Sequence, residues 1–124
     1  MTTVDLTKEN FDEVVSSNAT VVVDFWASWC GPCRVFGPIF EAASEQHPGI
    51  AFGKVDTEAQ FDLAGSFGIQ SIPTLMILRD QLIVYSQPGA VPAESLDELI
   101  ARAGELDMAE VRQEIGAHRA EQSA

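Results

Sequence analysis

Three short apolar runs constrain what this chain can become: Val21-Val22-Val23-Asp24-Phe25-Trp26, Ile50-Ala51-Phe52-Gly53-Lys54-Val55 and Thr74-Leu75-Met76-Ile77-Leu78. Each has the length and the β-branched or aromatic content of a buried strand. A fourth run, Leu82-Ile83-Val84-Tyr85, follows the third so closely that the two are expected to be antiparallel. The connector Arg79-Asp80-Gln81 lacks the usual Asn-Gly signal, so its geometry stays open. Helical patterns fill the intervals. Thr7 can cap a helix carrying Phe11, Val14 and Val15 inward. A second helix is expected from the cysteines to His47, ended by Pro48-Gly49 and kinked at Pro38. A third covers about Glu58 to Phe67, and a fourth about Ala93 to Ala103 with Leu96, Leu99 and Ile100 inward. Strands alternating with helices, then a hairpin and a closing helix, specify an α/β sandwich with a central mixed sheet. The 124 residues, 46% of them hydrophobic, suffice for one core.

Charge narrows the function classes. Nineteen acids against seven bases give a formal charge of −12, which disfavours nucleic acid as a partner. Solubility is the plain reading of that acidity; steering toward a basic partner is the sharper one. The acidic, polar start MTTVDLTKENFDEVVSSN resembles no secretory signal, and Asp24 breaks the best apolar run, so a cytoplasmic chain without a membrane span is expected. No Gly-rich phosphate loop is present, so no nucleotide cofactor is expected.

The only two cysteines, Cys30 and Cys33, form one C-x-x-C at a strand-to-helix transition. A bridge over so short a loop restricts the unfolded chain little, and cytosolic thiols are kept reduced, so stability is a poor reason for the pair. Redox chemistry is a better one. Disulfide exchange needs a thiolate to attack and a second thiol to resolve the mixed disulfide. A helix N-terminus lowers a thiol's pKa through unpaired N–H groups and the positive end of the dipole. Three-residue spacing places both sulfurs on one helical face, with Cys30 expected to be the more exposed and attacking one. Pro32 suits a first helical turn, and Gly31 is expected to allow a close backbone turn. Zinc is the rival use of C-x-x-C, but only His47 and His118 remain as further soft ligands, neither in a ligand motif.

The stretch Val23-Asp24-Phe25-Trp26-Ala27-Ser28-Trp29-Cys30-Gly31-Pro32-Cys33-Arg34 closely resembles the active-site segment of the thioredoxin family. Ser71-Ile72-Pro73-Thr74-Leu75 resembles the family's second signature and Pro88-Gly89-Ala90 its third, at fitting spacing, over roughly residues 4 to 106. The resemblance implies the thioredoxin fold and protein-disulfide reduction in support of cell redox homeostasis. It implies Cys30 as nucleophile, Cys33 as resolving thiol, Asp24 as the buried acid that manages the proton of Cys33, and Lys54 as the lysine approaching that acid. Without the resemblance, a structural Asp24–Lys54 ion pair is the competing reading. The resemblance also implies a cis bond from Ile72 to Pro73, an Ile72 backbone that pairs with an incoming chain, and Trp26 and Trp29 walling the site. Gly31, Pro32, Gly89 and Ala90 would complete a shallow client groove. Its implied partners are an NADPH-dependent flavoprotein thioredoxin reductase and disulfide-containing clients, acting on a monomer. Gly31-Pro32 favours a reductant over an exported oxidase or isomerase; a non-enzymatic scaffold is a further alternative.

Arg79-Asp80-Gln81 and Pro88 depart from the family pattern, and Arg34 stands where lysine is frequent. Residues 1–106 are expected to form the thioredoxin domain and 107–124 an extension. In the extension Met108, Val111 and Ile115 predict one short amphipathic helix, with Ala120 to Ala124 frayed.

Overall fold

The computed structural model describes residues 2–123. The four apolar runs become β2 (Thr20–Trp26), β3 (Ala51–Asp56), β4 (Thr74–Arg79) and β5 (Leu82–Pro88). A short strand that the apolar pattern does not reveal, β1 (Thr3–Asp5), precedes them. One five-stranded sheet results, in the order β1-β3-β2-β4-β5. The β1–β3 and β3–β2 pairs are parallel, whereas β2–β4 and β4–β5 are antiparallel. The helices are α1 (Phe11–Ser17), α2 (Gly31–Gln46), α3 (Phe61–Ser66), α4 (Ala93–Glu105) and α5 (Met108–Ser123).

Side chains alternate across β2, and this period assigns the two cores. Val21, Val23 and Phe25 pack with Leu6, Phe11 and Val15 on the α1 side. Val22 packs with Phe36 and Phe40 of α2 and with Leu96 and Ile100 of α4. Asp24, two residues from Val22, therefore shares the α2 side. Both faces are covered, which explains why β2 reads as a nearly unbroken apolar run.

Gly53 has a steric reason to lack a side chain. A Cβ there would stand 2.3 Å from Leu6 Cδ1 and 2.5 Å from Leu6 Cγ, and Leu6 is itself buried. Gly53→Ala is expected to destabilise the fold by about 2 kcal/mol or more through this overlap. Urea unfolding reads the effect, and an unchanged midpoint would contradict it.

Several local expectations need correction. Thr7 does not cap α1 directly: it closes the preceding turn, accepting the Asn10 N–H on Oγ1 at 3.3 Å, and the helix begins at Phe11. The third helix is shorter than expected because the Asp56 carboxylate holds the Glu58 and Ala59 N–H groups in a turn. The tail helix is not short, and residues 120–123 continue it instead of fraying; Ala124 lies outside the described residues. Asp107 starts that helix by accepting the Ala109 and Glu110 N–H groups.

The open connector is a tight two-residue turn with Asp80 at φ 50° and Gln81 at φ 68°, left-handed positions usually given to Gly or Asn. External contacts hold it. The Asp80 N–H donates to Ala19 O at 2.8 Å, Arg112 of α5 pairs with the Asp80 carboxylate at 3.5 Å, and the Arg79 guanidinium donates to Ala103 O.

Candidate active site

Strand β2 ends at Trp26, and the chain turns through Ala27 to Trp29 before α2 begins. The Cys30 N–H donates to Ala27 O at 3.2 Å, and Arg34 N–H to Cys30 O at 3.2 Å. Cys30 is thereby the N-cap of α2, with extended dihedrals of φ −85° and ψ 113°. Its Sγ accepts the Cys33 N–H at 3.2 Å, as an N-capping oxygen would. Pro32 costs no hydrogen bond in this first turn. The Arg34 side chain is committed to the loop, its Nε donating to Ser28 O at 3.1 Å.

Cys30 and Cys33 are joined as a disulfide with Cα atoms 5.2 Å apart. The expectation that Cys30 is the more exposed does not hold in this oxidised state: both cysteines are 4% exposed. Bridging draws the two sulfurs together, and Cys30 Sγ lies 3.8 Å from Ile72 O. What distinguishes them is position relative to the helix, since Cys30 Sγ receives the N-terminal N–H. Gly31 also departs from expectation. It has no left-handed backbone, and a Cβ there would meet nothing within 4 Å. Its effect is to leave open surface beside the sulfur.

Asp24 is fully buried, and neither carboxylate oxygen has a hydrogen-bond partner. In register it stands beside Lys54 on β3 and Leu75 on β4. Burial pushes its carboxyl up to about 7, against a smaller downward pull from the Lys54 ammonium. That ammonium sits 5.2 Å from the Trp26 ring centroid, so it acts on Asp24 through space rather than by a hydrogen bond. Gly37 on α2 faces it, and a Cβ there would make only ordinary contact, 3.9 Å from Lys54 Nζ.

The Ile72–Pro73 peptide is cis, and Pro73 O accepts the Gly89 N–H at 2.7 Å. Gly89 has φ +107°, a conformation that an L side chain rarely adopts, so glycine is required here. Ala27, Cys30 and Cys33 form one small cluster with Trp26 and Ile72 against it. Trp29, 64% exposed, stands on the rim, where Gly31, Pro32, Gly89 and Ala90 are also exposed. Val35, three residues after Pro32 on α2, is an exposed apolar neighbour that the helical period could have flagged. Among the described residues, no three His, Cys, Asp or Glu side chains are grouped to hold a metal ion. His47 ends α2 and bonds Asp97 of α4 at 3.2 Å. Also among the described residues, no helix is long and apolar enough to cross a membrane.

The thioredoxin family profile matches residues 2–102. A thioredoxin 2 relative from Streptomyces coelicolor is 56% identical over 119 residues, 96% of this chain and 89% of its own length. A thioredoxin from Chlorobaculum thiosulfatiphilum is 39% identical, over 77% of this chain and 94% of its own. Among solved structures, a thioredoxin variant from Halobacterium salinarum superposes with a TM-score of 0.79 at 32% identity, covering 84% of this chain and 92% of the other. A dithiol at a helix N-terminus on this sheet order, matched at such identity along nearly its whole length, makes the chain a member of the thioredoxin family and a dithiol–disulfide oxidoreductase.

Proposed function

We propose that Cys30 is the attacking sulfur, Cys33 the resolving sulfur, Asp24 the base that serves Cys33, and Lys54 the charge that tunes Asp24. The observation that carries this reading is the Cys33 N–H aimed at Cys30 Sγ from the first turn of α2. In the reduced chain the same N–H and the helix dipole favour a thiolate on Cys30. That thiolate attacks a client disulfide, one client sulfur leaves as thiolate, and a mixed disulfide forms. Cys33 then gives its proton to Asp24 and attacks Cys30 Sγ. The client leaves with two electrons gained, and the Cys30–Cys33 disulfide closes.

A carboxyl with a pKa near 7 suits this step, because it accepts a proton at neutral pH and returns it readily. Lys54 keeps the acid from rising further. The client chain lies across Trp29, Gly31 and Pro32, pairs with the Ile72 backbone beside Pro73, and is bounded by Gly89 and Ala90. Family members act with thioredoxin reductase and disulfide-containing clients. For this chain we infer recycling by an NADPH-dependent flavoprotein of that kind, a monomeric state and a cytoplasmic setting. Residues 1–106 make the redox unit and 107–124 an extension.

Insulin reduction tests the activity. With dithiothreitol, the chain is expected to precipitate the freed insulin chain well before dithiothreitol alone does, and with NADPH and a thioredoxin reductase to consume NADPH. Precipitation no faster than the dithiothreitol control would reject a general reductase and leave a restricted client.

A further inference from the structure

Strand β5 is the outer strand of the sheet, bonded to β4 alone. An outer strand carries a row of unpaired N–H and C=O groups, a ready template for a second chain. The opposite outer strand, β1, has three residues and offers little, whereas β5 has seven. Two features interrupt its edge. Pro88 closes it without an N–H, and Val84 is a bulge: Leu78 pairs with Ile83 and Ile77 with Tyr85, leaving Val84 unmatched. The stretch at the turn end before the bulge, Leu82 and Ile83, has neither protection.

Helix α5 lies there. Met108 is buried at its start, and Arg112 pairs with Asp80 in the turn before β5. Val111 and Ile115, both partly buried, share a groove of about 610 Å³ with Ile83, Val84 and Leu106. Ile83 is registered with Leu78, whose side chain belongs to the α1-side core, while Val84 packs on the α2–α4 core. Side chains from both faces of β5 line this groove together with α5, so the groove runs along the strand's edge. α5 also falls wholly beyond residue 102, where the family match ends.

We propose that α5 is an edge cover: it occupies the turn end of β5 and prevents antiparallel β5–β5 pairing with a second copy of this chain. The site-proximal end of β5, from Tyr85 to Pro88, stays open, so the cover does not obstruct the dithiol.

The test uses the full chain with Val111→Gln, Arg112→Gln and Ile115→Gln together, which keeps helix propensity while removing the apolar and ionic anchors. Sedimentation velocity is run in raised salt, so that repulsion between copies of charge −12 is screened. Wild type is expected to stay monomeric up to millimolar concentration, and the triple variant to dimerise with an affinity at least about tenfold tighter. Adding Ile83→Lys to the variant should return it to monomer by placing a cation at the edge, although it lowers the net negative charge that repels copies. Insulin reduction by the dilute variant should match wild type. Arg112→Gln alone is the milder form should the triple variant fold poorly, with a smaller shift in the same direction. A folded variant that stays monomeric overturns the proposal. So does one whose association is indifferent to Ile83→Lys, since it pairs through another surface.

Discussion

Cys30→Ser is expected to lose insulin reduction by at least about 10³-fold, because no other thiol occupies the N-cap of α2, where the helix N–H groups favour a thiolate. Cys33→Ser is expected to lose turnover about as completely, yet to fail differently. Its Cys30 still receives the backbone N–H of residue 33, so it still attacks, and without a resolving thiol the client stays attached. Non-reducing electrophoresis after mixing with an oxidised client should show a stable mixed disulfide for Cys33→Ser and none for Cys30→Ser. The reverse pattern would exchange the two roles. Equal trapping by both variants would mean that the helix terminus does not distinguish the sulfurs.

Asp24→Asn should change stability more than any other single substitution at the site. The folded carboxyl titrates near 7 and the unfolded one near 3.8, so the native state binds the proton more tightly. The stability contributed by this proton is then fully present below about pH 4, falls as pH rises, and is lost above about pH 7. Roughly three pH units at about 1.4 kcal/mol each give a cost of about 4 kcal/mol for holding Asp24 ionised. Asparagine keeps the shape without the ionisation. The oxidised Asp24→Asn chain should therefore match wild type near pH 4 and exceed it by about 2–4 kcal/mol at pH 8.5. Urea unfolding of both chains across that range isolates the effect in their difference, since other titrating groups cancel. A constant difference would mean that water reaches Asp24 and leaves its pKa ordinary. The same variant should accumulate mixed disulfide, because Cys33 has lost the base we assign to it.

These expectations describe one bargain from two sides. A charge that destabilises the fold at neutral pH is retained at the centre of β2, where a valine would satisfy both neighbouring strands. The proton affinity that burial confers is the reason we assign for keeping it. The orphaned Trp26 Nε1 belongs to the same neighbourhood, another polar group left without a hydrogen-bond partner beside the dithiol.

The sequence by itself determined much of this protein. Apolar period identified β2 to β5 and the inward residues of α1 and α4, because burial on one or two faces leaves a regular imprint. The motif around Cys30 identified the chemistry, because few residue sets support disulfide exchange. Asp24 was visible as the charge that interrupts the best apolar run. Tertiary structure decided the rest. β1 is three residues long and carries no periodic signal; its place comes from pairing with β3. Asp80 and Gln81 adopt a turn that their local preference does not encode, and contacts from Ala19 and Arg112 hold it. Gly53 is required by Leu6, 47 positions earlier in the chain. The exposure expected to separate Cys30 from Cys33 depends on the bridge and on Ile72 O rather than on chain order. Local patterns record whether a position is buried; which distant residue buries it, and at what distance, exists only once the chain has closed.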